Sequence, residues 1–243
     1  MTITDSAFHH LPELKDKITP VEGSQVRLSY RRFEEIDVQA KEEGWPPGWR
    51  MDHNAREANR RAVLDGRRDQ DLWVFAYGSL IWDPAIYFAE IRRASLSGWS
   101  RRFCMRLLSG RGSQAQPGLM AALDCGGNCE ALAFRIPGEL VEYETELLWM
   151  REMFSGAYCP VFMPVDTPQG PIEALVFVMN HDNERYEPDL SDSETSAMIA
   201  RATGNLGDNF AYLDSLVRHL DDLGIEDRHM SDLHAMCEKV RGG

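Results

Sequence analysis

The sequence predicts an α+β protein: a small mixed, mostly antiparallel β-barrel or curled sheet with peripheral helices. Three observations lead there. Between residues 72 and 179 lie six short runs rich in apolar and β-branched residues, each bounded by Gly, Pro or Asp. A single long helical pattern, residues 138 to 154, interrupts them, and further helical patterns follow only after the last run. Strands and helices therefore do not alternate strictly, which argues against a doubly wound parallel sheet.

In chain order, residues 1 to 70 are polar and charge-rich, with surface helices expected over Tyr30 to Glu43 and Asn54 to Leu64. The breaker cluster Gly44-Trp45-Pro46-Pro47-Gly48-Trp49 separates them. Its tryptophans would waste apolar area in water, so residues 1 to 70 read as a helical extension packed on a body formed by residues 71 to 243. Strands are expected over Leu72 to Phe75, Ser100 to Leu107, Leu119 to Asp124, Glu130 to Ile136, Tyr158 to Val165 and Ile172 to Met179. Cys125-Gly126-Gly127-Asn128 and Thr167-Pro168-Gln169-Gly170-Pro171 have the chemistry of hairpin turns. After the helix over Gly138 to Phe154, three more are expected at Asp192 to Ala202, Asp208 to Leu223 and Asp227 to Arg241.

A net charge of −13 over 243 residues argues against nucleic acid or an anionic membrane surface as a partner, and requires a local cationic patch for any anionic ligand. No run of apolar residues is long enough for a membrane span, and the first residues lack a basic region followed by an apolar core. Five scattered cysteines, an odd number, fit reduced thiols and a cytoplasmic setting.

The segment Ala76-Tyr77-Gly78-Ser79-Leu80-Ile81 is the most informative part of the chain. An apolar strand meets a small-residue turn, and apolar residues resume at once, so the turn is not a polar surface loop. Gly78 permits a conformation or a close approach that a Cβ would block, and successive free N–H groups can cradle a carboxylate or phosphate. The same residues also suit a simple buried turn.

A second feature is Glu152. Val141, Thr145, Leu148 and Glu152 share one face of the long helix, and Val141 with Leu148 make it the core face. Glu152 therefore points inward from the last turn, where the helix macrodipole disfavours a negative charge. Burial and dipole together raise its pKa toward the range useful to a general acid or base, unless it only pairs with a neighbouring arginine. Arg101, Arg102, Arg106 and Arg111 cluster in an otherwise acidic chain, and suit either an anion site or protection of strand edges.

Other arrangements are less promising. Ser79 lacks the second glycine of a nucleophile elbow. Cys125 and Cys129 have no histidine nearby in sequence, and His219, His229 and His234 lack ligand spacing on one face, so no metal site is expected. The glycines around Arg111 and at Pro117-Gly118 match neither a P-loop nor a dinucleotide fingerprint.

The order of Tyr77-Gly78-Ser79-Leu80 after a strand, Ser100-Arg101-Arg102-Phe103, then Leu148-Trp149-Met150-Arg151-Glu152-Met153 with Gly156-Ala157-Tyr158, closely resembles the ChaC-type γ-glutamylcyclotransferases of the glutathione-specific branch. It looks most like the bacterial members, which also carry an N-terminal extension. Asn209-Phe210-Ala211-Tyr212-Leu213 resembles the family too, and the likeness covers residues 72 to 236. Two departures are visible: Ala76 stands where many relatives have Gly, and Cys159 where many eukaryotic relatives have Arg.

The resemblance implies a lyase-type enzyme that releases 5-oxoproline and Cys-Gly from glutathione without metal or cofactor. It maps the catalytic glutamate onto Glu152 and the substrate-binding loop onto Ala76, Tyr77, Gly78, Ser79, Leu80 and Ile81. Tyr158 would add a hydroxyl donor, and Arg101 or Arg102 would hold the distal carboxylate on grounds of charge. Other γ-glutamyl amines or γ-glutamyl amino acids as substrates, and a non-catalytic γ-glutamyl-binding module, remain open alternatives.

Overall fold

The computed structural model describes residues 2–42, 44, 45 and 49–243. Residues 43 and 46–48, which include the centre of the expected breaker cluster, lie outside the described residues.

Two helices precede the sheet, α1 (Tyr30–Glu42) and α2 (His53–Val63). The Asp52 carboxylate caps α2 by accepting from the Asn54 and Ala55 N–H groups. The five strands of the main sheet are β1 (Leu72–Ala76), β2 (Glu90–Leu107), β3 (Gly118–Ile136), β4 (Tyr158–Val165) and β5 (Ile172–Met179). The helix α3 (Gly138–Glu152) lies between β3 and β4. After β5 come α4 (Asp192–Arg201), a small hairpin of β6 (Thr203–Gly204) and β7 (Gly207–Asp208), then α5 (Asn209–Asp222) and α6 (Arg228–Gly242).

The sheet order is β2-β3-β1-β5-β4. β1 runs antiparallel to β3 and parallel to β5, and β4 pairs antiparallel with β5. The expected turn between β4 and β5 is present, with Val165 opposite Ile172. β2 and β3 form an antiparallel ribbon far longer than the other strands, and it curls. Leu123 of β3 pairs with Val178 of β5, and Ser95 of β2 bridges Asp166 just past β4. One face gathers side chains from all five strands, among them Phe75, Leu96, Leu123, Val165 and Val176. The alternating residues Val74, Ala76, Phe134, Leu175 and Phe177 point the other way, into the cluster formed with the helices. The result is a curled, mostly antiparallel half-barrel with helices outside it.

One expectation is corrected. Cys125-Gly126-Gly127-Asn128 is not a hairpin turn: β3 continues through it, paired with Ser97 and Trp99 of β2. Gly126, Gly127 and the facing Gly98 all have positive φ, and the register shifts between Ser97 and Trp99. Glycine's left-handed freedom here bends two strands together instead of reversing one. The first half of β2, from Glu90, has too many arginines and serines to stand out as a strand in the sequence.

The segment before β1 lies on the body. Phe8 packs edge-on against Phe88, the two ring centroids 5.6 Å apart, and Ala7, Leu11, Leu14 and Ile18 join the main core. Trp49 sits 5.4 Å from the Phe154 ring and 4.8 Å from Trp45.

A group of polar links from this segment converges on α3. The Arg27 guanidinium donates to both oxygens of Glu144, at 2.8 and 2.9 Å, and the Glu144 side chain has no exposure to solvent. Arg60 donates to the Thr145 hydroxyl and to Glu142, and the Trp149 indole donates to Asn59 Oδ1 at 2.9 Å.

Removing one partner of a buried ion pair strands the other charge in the interior. Arg27→Met is therefore expected to lower the unfolding free energy by about 3 kcal/mol in urea titration, with Glu144→Gln in the same chain restoring part of the loss.

Candidate active site

The strand directions bring the site together. β1 and β5 are parallel, so both end at one edge of the sheet, and β4 starts at that edge because it runs antiparallel to β5. Tyr77 and Gly78 after β1, Met179 at the end of β5 and Tyr158 at the start of β4 thus share one end of the half-barrel. Ser79 to Ile81 form a short 3-10 turn that leads away from it.

Glu152 is the last residue of α3. Its side chain is 13% exposed, and Arg151 Nε forms an ion pair with its Oε1 at 3.1 Å. Burial raises the Glu152 pKa above the usual glutamate value, and the Arg151 charge only partly offsets this. Three tyrosines surround the carboxylate. Burial is the main cause that pushes the Tyr77, Tyr158 and Tyr212 hydroxyls upward, and the Glu152 charge adds to it in each case. All three stay neutral at physiological pH.

Hydrogen bonds fix the wall around Glu152. The Tyr77 hydroxyl donates to the Phe177 carbonyl at 2.8 Å, and the Tyr158 hydroxyl donates to the Ala121 carbonyl at 3.0 Å. Tyr158 was expected to donate into the site; with its proton engaged by Ala121, it presents oxygen lone pairs there instead. The Tyr212 hydroxyl lies 3.4 Å from where a Cβ on Gly78 would sit, so any larger residue at 78 meets it.

Arg151 ties the helix end to the turn. Its Nη2 donates to the Ser79 hydroxyl at 2.8 Å and its Nη1 to the Asp83 carbonyl at 2.6 Å. The Ser79 hydroxyl is thereby held by a cation and not by a base, which does not suit a nucleophile. Within the turn, Ile81 N–H donates to the Gly78 carbonyl and Asp83 N–H to the Ser79 carbonyl. Leu80 and Ile81 are buried and anchor the turn from below.

The arginines behave differently from expectation. Arg101 is buried, and its guanidinium donates to the Tyr77 carbonyl at 2.6 Å, to Asp227 at 2.9 Å and to the Glu130 carbonyl. It fixes the backbone of the turn, with all three guanidinium nitrogens engaged inside the protein. Arg102, next along β2, projects to the opposite face, where it pairs with Asp124 and donates to the Pro188 carbonyl at 3.1 Å. Alternation along a strand puts only Arg101 and Phe103 toward Tyr212, and the Phe103 and Tyr212 rings lie 5.8 Å apart.

Sequence reasoning gave Tyr212 no role of its own, and offered Arg111 only as one of four clustered arginines suited to an anion site or a strand edge. Tyr212 is on the core face of α5 with Leu213, Leu216 and Leu220, and a lone hydroxyl in that row was the available signal. Arg111 lies over the Tyr212 ring, 6.0 Å from its centroid, and Nη1 donates to the Asp208 carbonyl at 2.9 Å. The close packing of Gly110 and Gly112 on Gly204, which a Cβ would prevent, brings the Arg111 loop to α5.

A family model described as ChaC-like protein matches residues 72–240. The chain belongs to the ChaC-like family. Over 187 residues it is 42% identical to the glutathione-specific gamma-glutamylcyclotransferase of Escherichia coli K12, a match spanning 76% of this chain and 81% of that protein. It is 30% identical over 188 residues to the glutathione-specific gamma-glutamylcyclotransferase of Schizosaccharomyces pombe, covering 69% of this chain and 93% of that one. Among solved structures, the yeast gamma-glutamyl cyclotransferase specific to glutathione superposes with a TM-score of 0.66 at 22% identity, over 71% of this chain and 97% of that chain. The family's fold is thus the curled half-barrel described above. Among the described residues, no helix is long and apolar enough to cross a membrane.

The raised pKa of Glu152 has a consequence for stability. The folded state holds the carboxyl proton more tightly than the unfolded chain, so this group favours the fold fully below the ordinary glutamate pKa. That contribution is lost as pH rises through the raised folded value. Glu152→Gln is therefore expected to raise Tm at pH 7, with the difference shrinking below about pH 4, in thermal melts followed across pH.

Proposed function

We propose that the protein is a glutathione-specific γ-glutamylcyclotransferase that converts glutathione to 5-oxoproline and Cys-Gly. The observation that carries this reading is a buried carboxylate of raised pKa, Glu152, at the end of α3, facing the Tyr77–Leu80 turn. The names of the curated relatives supply the substrate.

The reaction is an intramolecular aminolysis. The α-amine of the γ-glutamyl group attacks its own γ-carbonyl and closes a five-membered lactam, expelling the amine of Cys-Gly. Both reacting groups are on one molecule, so the enzyme has to fold the substrate and move protons. Holding a reactive conformer contributes on the order of 7 to 11 kcal/mol in favourable cases.

Glu152 takes a proton from the α-ammonium and later gives it to the departing amine, so one carboxyl serves as base and then acid. A pKa raised above the ordinary glutamate value suits both halves of that task. The N–H groups of Gly78, Ser79 and Leu80 would hold the α-carboxylate or the developing oxyanion. The lone pairs of Tyr77 and Tyr158 suit the ammonium, and Arg151 keeps the turn and Glu152 in one frame. With Arg101 and Arg102 engaged elsewhere, Arg111 is the cation placed to receive the distal carboxylate of the tripeptide, past Tyr212.

Purified protein incubated with glutathione should release 5-oxoproline, and γ-glutamyl amino acids lacking the glycine carboxylate should react poorly. Glu152→Gln, which keeps the shape but cannot carry a proton, should lose at least about a hundredfold in kcat; near-normal turnover would remove Glu152 from the mechanism. The acid limb of kcat/KM should lie above the ordinary glutamate pKa, because the base has to be ionised in the free enzyme.

Arg111→Met should raise KM for glutathione about tenfold or more with little change in kcat, as expected when a uniform ground-state contact is lost.

A further inference from the structure

The bend in β3 carries a group of side chains that the proposed reaction does not use. Asp124 is buried, 2% exposed. Its carboxylate accepts from the Cys125 N–H at 2.9 Å, from the Tyr186 hydroxyl at 3.2 and 3.1 Å, from Arg102, and from His181 Nε2 at 2.8 Å. The His181 ring stacks on Tyr186 with centroids 4.5 Å apart and planes 15° from parallel. Cys125 is an exposed free thiol. One ligand atom each from Asp124, Cys125 and His181 lies within 4.8 Å of the other two.

We propose that Asp124, Cys125 and His181 bind one divalent ion of the zinc class. One oxygen, one sulfur and one nitrogen donor make the mixed set that zinc takes, whereas magnesium and calcium prefer oxygen alone. Tetrahedral zinc with ligands at about 2.0 to 2.3 Å needs them roughly 3.3 to 3.7 Å apart. His181 Nε2, now 2.8 Å from Asp124 Oδ1, reaches that spacing by moving slightly outward, and the solvent-facing Cys125 thiol by closing in.

The supporting shell is already in place. Arg102 holds Asp124 Oδ2, leaving Oδ1 toward His181, and Tyr186 both donates to the carboxylate and sets the imidazole plane. Binding exchanges the Cys125 thiol proton for the metal and moves the imidazole proton to Nδ1, so close to one proton leaves per ion bound. Three protein ligands leave the fourth position to water. A second group, His9, His10 and Glu90, is less suited: arginines take both Glu90 oxygens, Oε1 by Arg92 at 2.6 Å and Oε2 by Arg135 at 3.1 Å, whereas Arg102 takes only Oδ2 of Asp124.

The test is titration of the full-length, reduced protein with Zn²⁺ by calorimetry, and with Co²⁺ by absorption, in the absence of glutathione. The expected result is one saturable site, a thiolate-to-cobalt charge-transfer band, and an observed enthalpy that varies between buffers as release of one proton requires. Cys125→Ser and His181→Ala, at exposed positions, should each weaken binding at least about tenfold, and Tyr186→Phe about tenfold. Cys159→Ser should leave it unchanged. Absence of a saturable site, binding without thiolate absorption, or binding that survives Cys125→Ser and His181→Ala overturns the proposal. Release of 5-oxoproline by the metal-free protein is independent of this outcome, so the two readings fail separately.

Discussion

The guanidinium of Arg151 joins the two halves of the site. It forms an ion pair with Glu152 beside it and donates to the Ser79 hydroxyl and the Asp83 carbonyl. A helix end and a turn that are far apart in sequence are thereby locked at one spacing. The same contact sets the electrostatic balance. A carboxylate buried among neutral tyrosines would lose its charge altogether without some cation, and one strongly paired would be too acidic to return a proton. Burial outweighs the single arginine, and the Glu152 pKa ends above its ordinary value.

That balance depends on α3 staying where it is, and the segment before β1 provides much of the hold. Arg27 on Glu144, Arg60 on Thr145 and Glu142, and Asn59 on Trp149 attach along the helix. The backbone bond from Met51 N–H to the Phe154 carbonyl, 2.8 Å, secures the chain just beyond Glu152. A buried, hydrogen-bonded ion pair adds little net stability compared with an apolar pair, but it tolerates few alternative arrangements. The segment therefore acts on the helix that carries the proposed proton carrier, although no residue of it is assigned to the reaction.

Local signals in the sequence were read reliably where one element's own pattern was enough. β4, β5 and α3 fall close to their expected limits because turn residues bound them and the period is clear. The Cys125–Asn128 segment was misread because glycines with positive φ serve a reversal and a bend equally well; only the continuing partner strand distinguishes the two. The same limit applies to cations. Nothing in Arg101-Arg102 or Arg111 alone tells which guanidinium is used up by carbonyls and which faces a cleft.

The sequence by itself determined the element types, the apolar strand that ends in Tyr77-Gly78-Ser79-Leu80, and an inward-facing Glu152 in the last turn of a helix. Each follows from a period or a cap within about twenty residues. The resemblance implied that these two meet beside Tyr158, but the tertiary structure alone decided how they meet, that Tyr212 closes around them, and that Asp124, Cys125 and His181 gather at a bend. Those pairings join residues tens of positions apart. They are fixed by strand order and by which side chains remain unpaired once the core is packed, and neither is written in any local window of the chain.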